Sequence, residues 1–66
     1  MYFNINGKNV KSIEYNLQDR TVDVLFQSKR KYRYFDVSAD WIVKIVGENA
    51  DKIPKELGKI TRYEEI

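Results

Sequence analysis

The sequence contains no cysteine and no histidine. Without cysteine no disulfide can staple the chain and no thiolate can hold zinc. Without histidine there is no Ser-His or Cys-His pair and no zincin-type helix. Lysine and carboxylate bases remain, but they need a cleft that shifts their pKa. A chain of 66 residues has little interior in which to build one. Enzymatic activity, a cofactor and a bound metal are therefore not expected. Long hydrophobic runs are missing as well. No uncharged apolar run exceeds three residues, as in Trp41-Ile42-Val43, far below the roughly 20 that a membrane span needs. The start, Met1-Tyr2-Phe3-Asn4-Ile5-Asn6, has no basic stretch followed by an apolar one, so it does not read as a signal peptide. A cytoplasmic location, away from membranes, is the expectation.

What is present fits one small domain over residues 1–66. So small a core often recruits a second copy of itself, which keeps a homodimer open. The net charge of +2 hides an uneven distribution. Residues 1–35 hold seven basic groups (Lys8, Lys11, Arg20, Lys29, Arg30, Lys31, Arg33) against three acids, Glu14, Asp19 and Asp23. Residues 36–66 hold five basic groups against seven acids. A basic half points toward a polyanion, and a solvated charged surface has the same composition.

Period-two patterning runs through the first 37 residues. Asn6-Gly7 predicts a type I′ hairpin turn between strands at about 2–5 and 9–16. Residues 17–20 read as a second turn, Thr21 to Phe26 as the clearest strand, Ser28 to Arg30 as a three-residue turn and Lys31 to Asp36 as a fourth strand. Ser38 then offers an N-cap, and Trp41, Ile42, Ile45 and Val46 form one helical stripe, ended by Gly47 or Asn49. Pro54 opens a short second helix through Leu57, stopped by Gly58, and the tail from Lys59 either adds a strand or covers a sheet edge. The fold class is α+β: an antiparallel meander of three or four strands, then one main helix and a short second one.

The third turn decides where Tyr32 and Tyr34 point. An odd loop over residues 28–30 pairs 26 with 32 and 24 with 34, and places both tyrosines on the core face with Phe26 and Val24. An even loop would drive Lys31 and Arg33 into the core, where unpaired charge is expensive. The odd loop is expected, with Lys31, Arg33 and Phe35 on the outer face, Leu25 beside Arg33, and Phe3, Phe35 and Leu25 as an outer apolar patch.

The stretch Lys29-Arg30-Lys31-Tyr32-Arg33-Tyr34-Phe35 interleaves four cations with three aromatics. That pattern suits a single-stranded nucleic acid, with cations tracking phosphates and rings stacking bases. Lys29, Arg30, Lys31, Arg33 and Phe35 are its candidate binding residues. The plainer reading makes the tyrosines core and the cations a solvated edge that discourages aggregation. Trp41 is either a stacking anchor or, more commonly for a Trp in a helical stripe, core. Asp36 reads as a backbone acceptor or helix cap, and Glu64 and Glu65 as solvated tail carboxylates.

Val10-Lys11-Ser12, Ile13 and Tyr15, then Thr21-Val22, Val24 and Phe26, then Tyr32-Arg33-Tyr34-Phe35-Asp36-Val37, followed by a helix, resemble the KTSC domain over about residues 10–46. That domain is named for the C-terminus of some lysyl-tRNA synthetases, also occurs alone in bacteria and phages, and is marked by a central Tyr-x-Tyr. Here Ser38 stands where the family usually has Pro, and the family's later Ser-x-Gly stretch is replaced by Asp51 to Gly58. The resemblance implies a stand-alone bacterial or phage protein of a family with no assigned function, for which RNA binding has been suggested. A small non-catalytic binding module for RNA or single strands is thus the first functional expectation. A protein-interaction module, docking on a host factor or on its own copy, is the alternative. A small-molecule site between two protomers comes third.

Overall fold

The alternating half of the chain becomes four strands in the computed structural model, which describes residues 1–47 and 52–66. They are β1 (Tyr2–Asn4), β2 (Val10–Asn16), β3 (Thr21–Phe26) and β4 (Lys31–Tyr34). Helices α1 (Ala39–Gly47) and α2 (Ile53–Leu57) follow, and the tail adds β5 (Tyr63–Glu65). The five strands form one antiparallel sheet in the order β1-β2-β3-β4-β5. The fold is α+β, and both helices lie in the connection between the last two strands.

Register sorts the side chains into two faces. Ile13 lies opposite Val24, Tyr15 opposite Val22, Tyr32 opposite Val24 and Tyr34 opposite Val22, and this face carries the core. Ser12, Glu14, Asp23, Leu25, Lys31 and Arg33 line the other face. Strict alternation from Ile13 would turn Val10 outward. A bulge between Val10 and Ser12 absorbs Lys11, and Val10 pairs with Phe26 and is buried.

Two turns differ from their sequence reading. The β1–β2 loop is not a type I′ turn, which needs two left-handed residues. Asn6 alone is left-handed, at φ 51°, and among the described residues no glycine has positive φ. The loop instead closes through the Ile5 and Asn6 amides, which both donate to the Lys11 carbonyl, and through Gly7, which donates to Val10. The β3–β4 turn is odd, as expected, but covers residues 27–29: the Phe26 amide donates to the Arg30 carbonyl at 2.9 Å. Lys29 takes the left-handed position that closes such a turn, at φ 75°. Pairing therefore shifts by two residues. The faces stay as expected, but Asp23 rather than Leu25 lies opposite Arg33.

Ser38 caps α1, its hydroxyl oxygen accepting the Trp41 amide at 3.2 Å. Ile42 and Ile45 from α1, and Ile53 and Leu57 from α2, are buried with Val37 against the core face of the sheet. Trp41 and Val46 pack half-buried at the margin of this core. Gly47 is the last described residue of α1, and Asn49 lies outside the described residues. Gly58 ends α2 in right-handed conformation, at φ −62°, so its role there is a hydrogen bond to Pro54 rather than a left-handed cap. The largest fully buried side chain, Tyr15, donates its hydroxyl to the Val37 carbonyl at 2.7 Å and ties β2 to the segment entering α1.

Candidate nucleic-acid interface

An antiparallel meander puts the β1–β2 loop and the β3–β4 turn at the same end of the sheet. Here the two are joined directly. The Gln27 amide donates to the Asn9 carbonyl at 2.8 Å, and its side-chain Nε2 donates to the Gly7 carbonyl at 3.0 Å. Lys8 and the bulged Lys11 are thereby brought to the end that carries Lys29, Arg30 and Lys31, and all five are exposed. The Glu65 carboxylate of β5 also reaches this end, and the Ile66 amide donates to the Lys31 carbonyl there. The opposite end mixes its charges, with Asp19 and Arg20 in the β2–β3 turn and Asp36 paired to Arg62 at 2.8 Å.

The five residues singled out from sequence do not share one surface. Lys29 and Arg30 project from the turn, and Lys31 starts the row on the open sheet face. Arg30 sits beside the Tyr32 hydroxyl and the Glu65 carboxylate, which hold its guanidinium above the ordinary range. Arg33 is occupied by a two-point pair with Asp23, Nε–Oδ1 2.8 Å and Nη2–Oδ2 3.1 Å. That pair raises the Arg33 pKa, and Glu64 lies across the strand from it. Phe35 is half-buried beyond β4 with the Arg62 guanidinium 5.1 Å over its ring. Among the described residues the ion pairs are Arg33–Asp23, Lys59–Glu56 and Arg62–Asp36, so none involves a cation of the basic end.

The expected outer apolar patch does not form, because Phe3 pairs with Ile13 and so lies on the core face. Asp36 is not a cap. It is left-handed at φ 58° and reaches Arg62. Glu64 and Glu65 are both exposed and, as neighbours on a strand, point to opposite faces.

Tyr32 and Tyr34 lie on the core face, Tyr34 buried and Tyr32 half-buried. Burial, then Tyr63 and Tyr32 nearby, push the Tyr34 hydroxyl pKa up. The Tyr32 ring meets Phe26 edge-on at 5.8 Å, and Tyr63 lies 5.5 Å from Tyr34 and 6.1 Å from Tyr32. These four rings with Leu57 and Ile60 border a groove of about 350 Å³ between β4, β5 and α2. Sequence reading did not single out Lys8, Lys11 or Tyr63 as candidates. Their neighbours are set by turn hydrogen bonds and by β5, for which local pattern carries little signal.

Among the described residues, no helix is long and apolar enough to cross a membrane. No curated protein matches the sequence. A family model, that of the KTSC domain, matches residues 6–47. The match takes in both basic loops, the three central strands with Tyr32 and Tyr34, and α1, and it ends before α2 and Tyr63. Because that stretch spans well over half of the 66 residues, the chain belongs to the KTSC domain family.

Proposed function

We propose that this protein is a non-catalytic module that binds single-stranded nucleic acid, RNA in the first place, across the basic end of its sheet. The observation that carries the reading is the junction of the two basic loops through Gln27, which gathers Lys8, Lys11, Lys29, Arg30 and Lys31 around one end of the sheet. Exposed cations displace counterions from a phosphate backbone, and at this end they outnumber the neighbouring Glu65 carboxylate. The open sheet face is the poorer candidate. Its Arg33 is taken by Asp23, and Glu14 and Glu64 add negative charge that repels phosphate. The strand is therefore expected to cross the loops rather than run down the sheet. A cytoplasmic place of action, as a bacterial or phage protein, goes with this reading.

Salt dependence tests it. Neutralising about four phosphates of a single strand gives a log–log slope near −3. Lys8, Lys29, Arg30 and Lys31 are changed together to Gln, and the protein is titrated against labelled single-stranded RNA at several salt concentrations. Each lost contact should flatten the slope by about 0.7. Arg33→Gln serves as the control and leaves the slope unchanged. An unaltered slope in the quadruple variant, or no binding by the parent at low salt, rejects the proposal and leaves the protein-interaction reading.

A further inference from the structure

Two hollows on the surface differ in chemistry. The larger, about 650 Å³, lies at the mixed-charge end and is walled by Glu14, Asp19 and Asp23 with Arg33. Three carboxylates outnumber the Met1 ammonium and the already paired guanidinium and suit no polyanion. The smaller is the aromatic groove between β4, β5 and α2, and its volume of about 350 Å³ falls at the lower end of the ~300–1,000 Å³ usual for small-ligand sites.

The groove opens beside the basic end. Phe26, on its border, closes the turn by its bond to Arg30, and Arg30 stands beside the Tyr32 hydroxyl. Tyr63 backs onto Tyr34 at 5.5 Å with planes 32° apart, and more than half of its surface is exposed. The groove thus offers an exposed aromatic ring in Tyr63, an apolar floor from Leu57 and Ile60 and tyrosine hydroxyls, and Arg30 lies beside its Tyr32. A flat ring attached to an anionic backbone matches each of these. Its face stacks on the open ring, its edge meets hydroxyls, and its phosphate meets Arg30.

We infer that the groove is a base subsite, in which one nucleobase of a bound single strand stacks against Tyr63 while the flanking phosphates lie on Arg30 and Lys29. The inference rests on the proposed strand binding and adds where a base, as distinct from the backbone, is held. Stacking on an aromatic face needs no particular base, so the subsite prefers unpaired bases over sequence.

The test uses the full chain and two single-stranded RNAs of about ten nucleotides, a length within the usual site sizes of such modules. One carries a fluorescent purine analogue at its centre, and the other is abasic there. Tyr63→Leu removes the ring at an exposed position, and Tyr63→Phe keeps it. Circular dichroism establishes that both variants are folded. The expected result is quenching of the analogue by the parent and by Tyr63→Phe but not by Tyr63→Leu. The abasic strand should bind about tenfold more weakly than the intact one, the order of one stacked base, and Tyr63→Leu should lose that preference. Equal affinity of the parent for both strands, with the salt slope of the basic end intact, overturns the subsite and spares strand binding. No binding of either strand overturns both.

Discussion

The two faces of this sheet are built from the same strands by different physics. On the covered face Val10, Ile13, Tyr15, Val22, Val24 and Tyr34 are buried against two helices, and apolar area is what holds them. On the open face Glu14, Lys31, Arg33 and Glu64 meet water, and the ion pair found there among the described residues is Arg33–Asp23. Alternating residues thus divide the work. The covered face sets stability, while the open face and the loops at its end are free to vary in charge without unfolding the protein. The family's marker tyrosines fall on the covered side, where Tyr34 is core and Tyr32 reaches out to the groove.

The largest expected effect would break the comparison if it failed. Tyr34→Ala should destabilise by about 3 kcal/mol or more, as other large-to-small aromatic changes in cores do. Urea unfolding measures it, and a loss below about 1 kcal/mol would mean that the covered face does not carry stability as described. Next comes Tyr15→Phe, which keeps the ring but strands the Val37 carbonyl that accepts its hydroxyl. A buried acceptor left without its donor predicts a loss of about 1–3 kcal/mol by the same measurement.

An alkaline titration sharpens the same contrast. Tyr34 has its hydroxyl pKa raised by burial in the folded state. Above the ordinary tyrosine range the unfolded chain releases this proton more readily than the folded one. Stability is therefore full below about pH 10 and declines as pH rises beyond it. Tyr34→Phe should flatten that alkaline decline, read from melting temperatures between neutral pH and pH about 11. The smallest effect belongs to the open face. Arg33→Gln breaks a pair whose arginine side chain is 41% exposed, and should change stability by under about 1 kcal/mol, less still in high salt. A loss as large as that for Tyr34→Ala would erase the distinction between the faces.

Much of the covered face was legible because burial imposes parity. Charge cannot enter the core, so Lys31 and Arg33 had to point away and Tyr32 and Tyr34 inward, whichever odd loop joined the strands. The choice among odd loops was not legible. It depends on Lys29 taking a left-handed conformation that a glycine would have announced and a lysine does not. That shift of two residues sets Asp23 opposite Arg33 and engages Arg33 in an ion pair. Ser38 was readable as a cap because its bond is local. The company of Lys8 was not, because it is decided by Gln27 reaching back 20 residues to the Gly7 carbonyl. Bonds of that range leave no trace in local periodicity.

The two bonds made by Gln27 also bear on what happens before any ligand arrives. Two loops that moved independently would each have to be immobilised by an incoming strand, and that lost freedom would subtract from its affinity. Here the two bonds from Gln27 already restrain one loop backbone against the other in the free protein. On the proposed reading, such a surface loses less freedom when a strand binds and favours fast capture over slow adjustment.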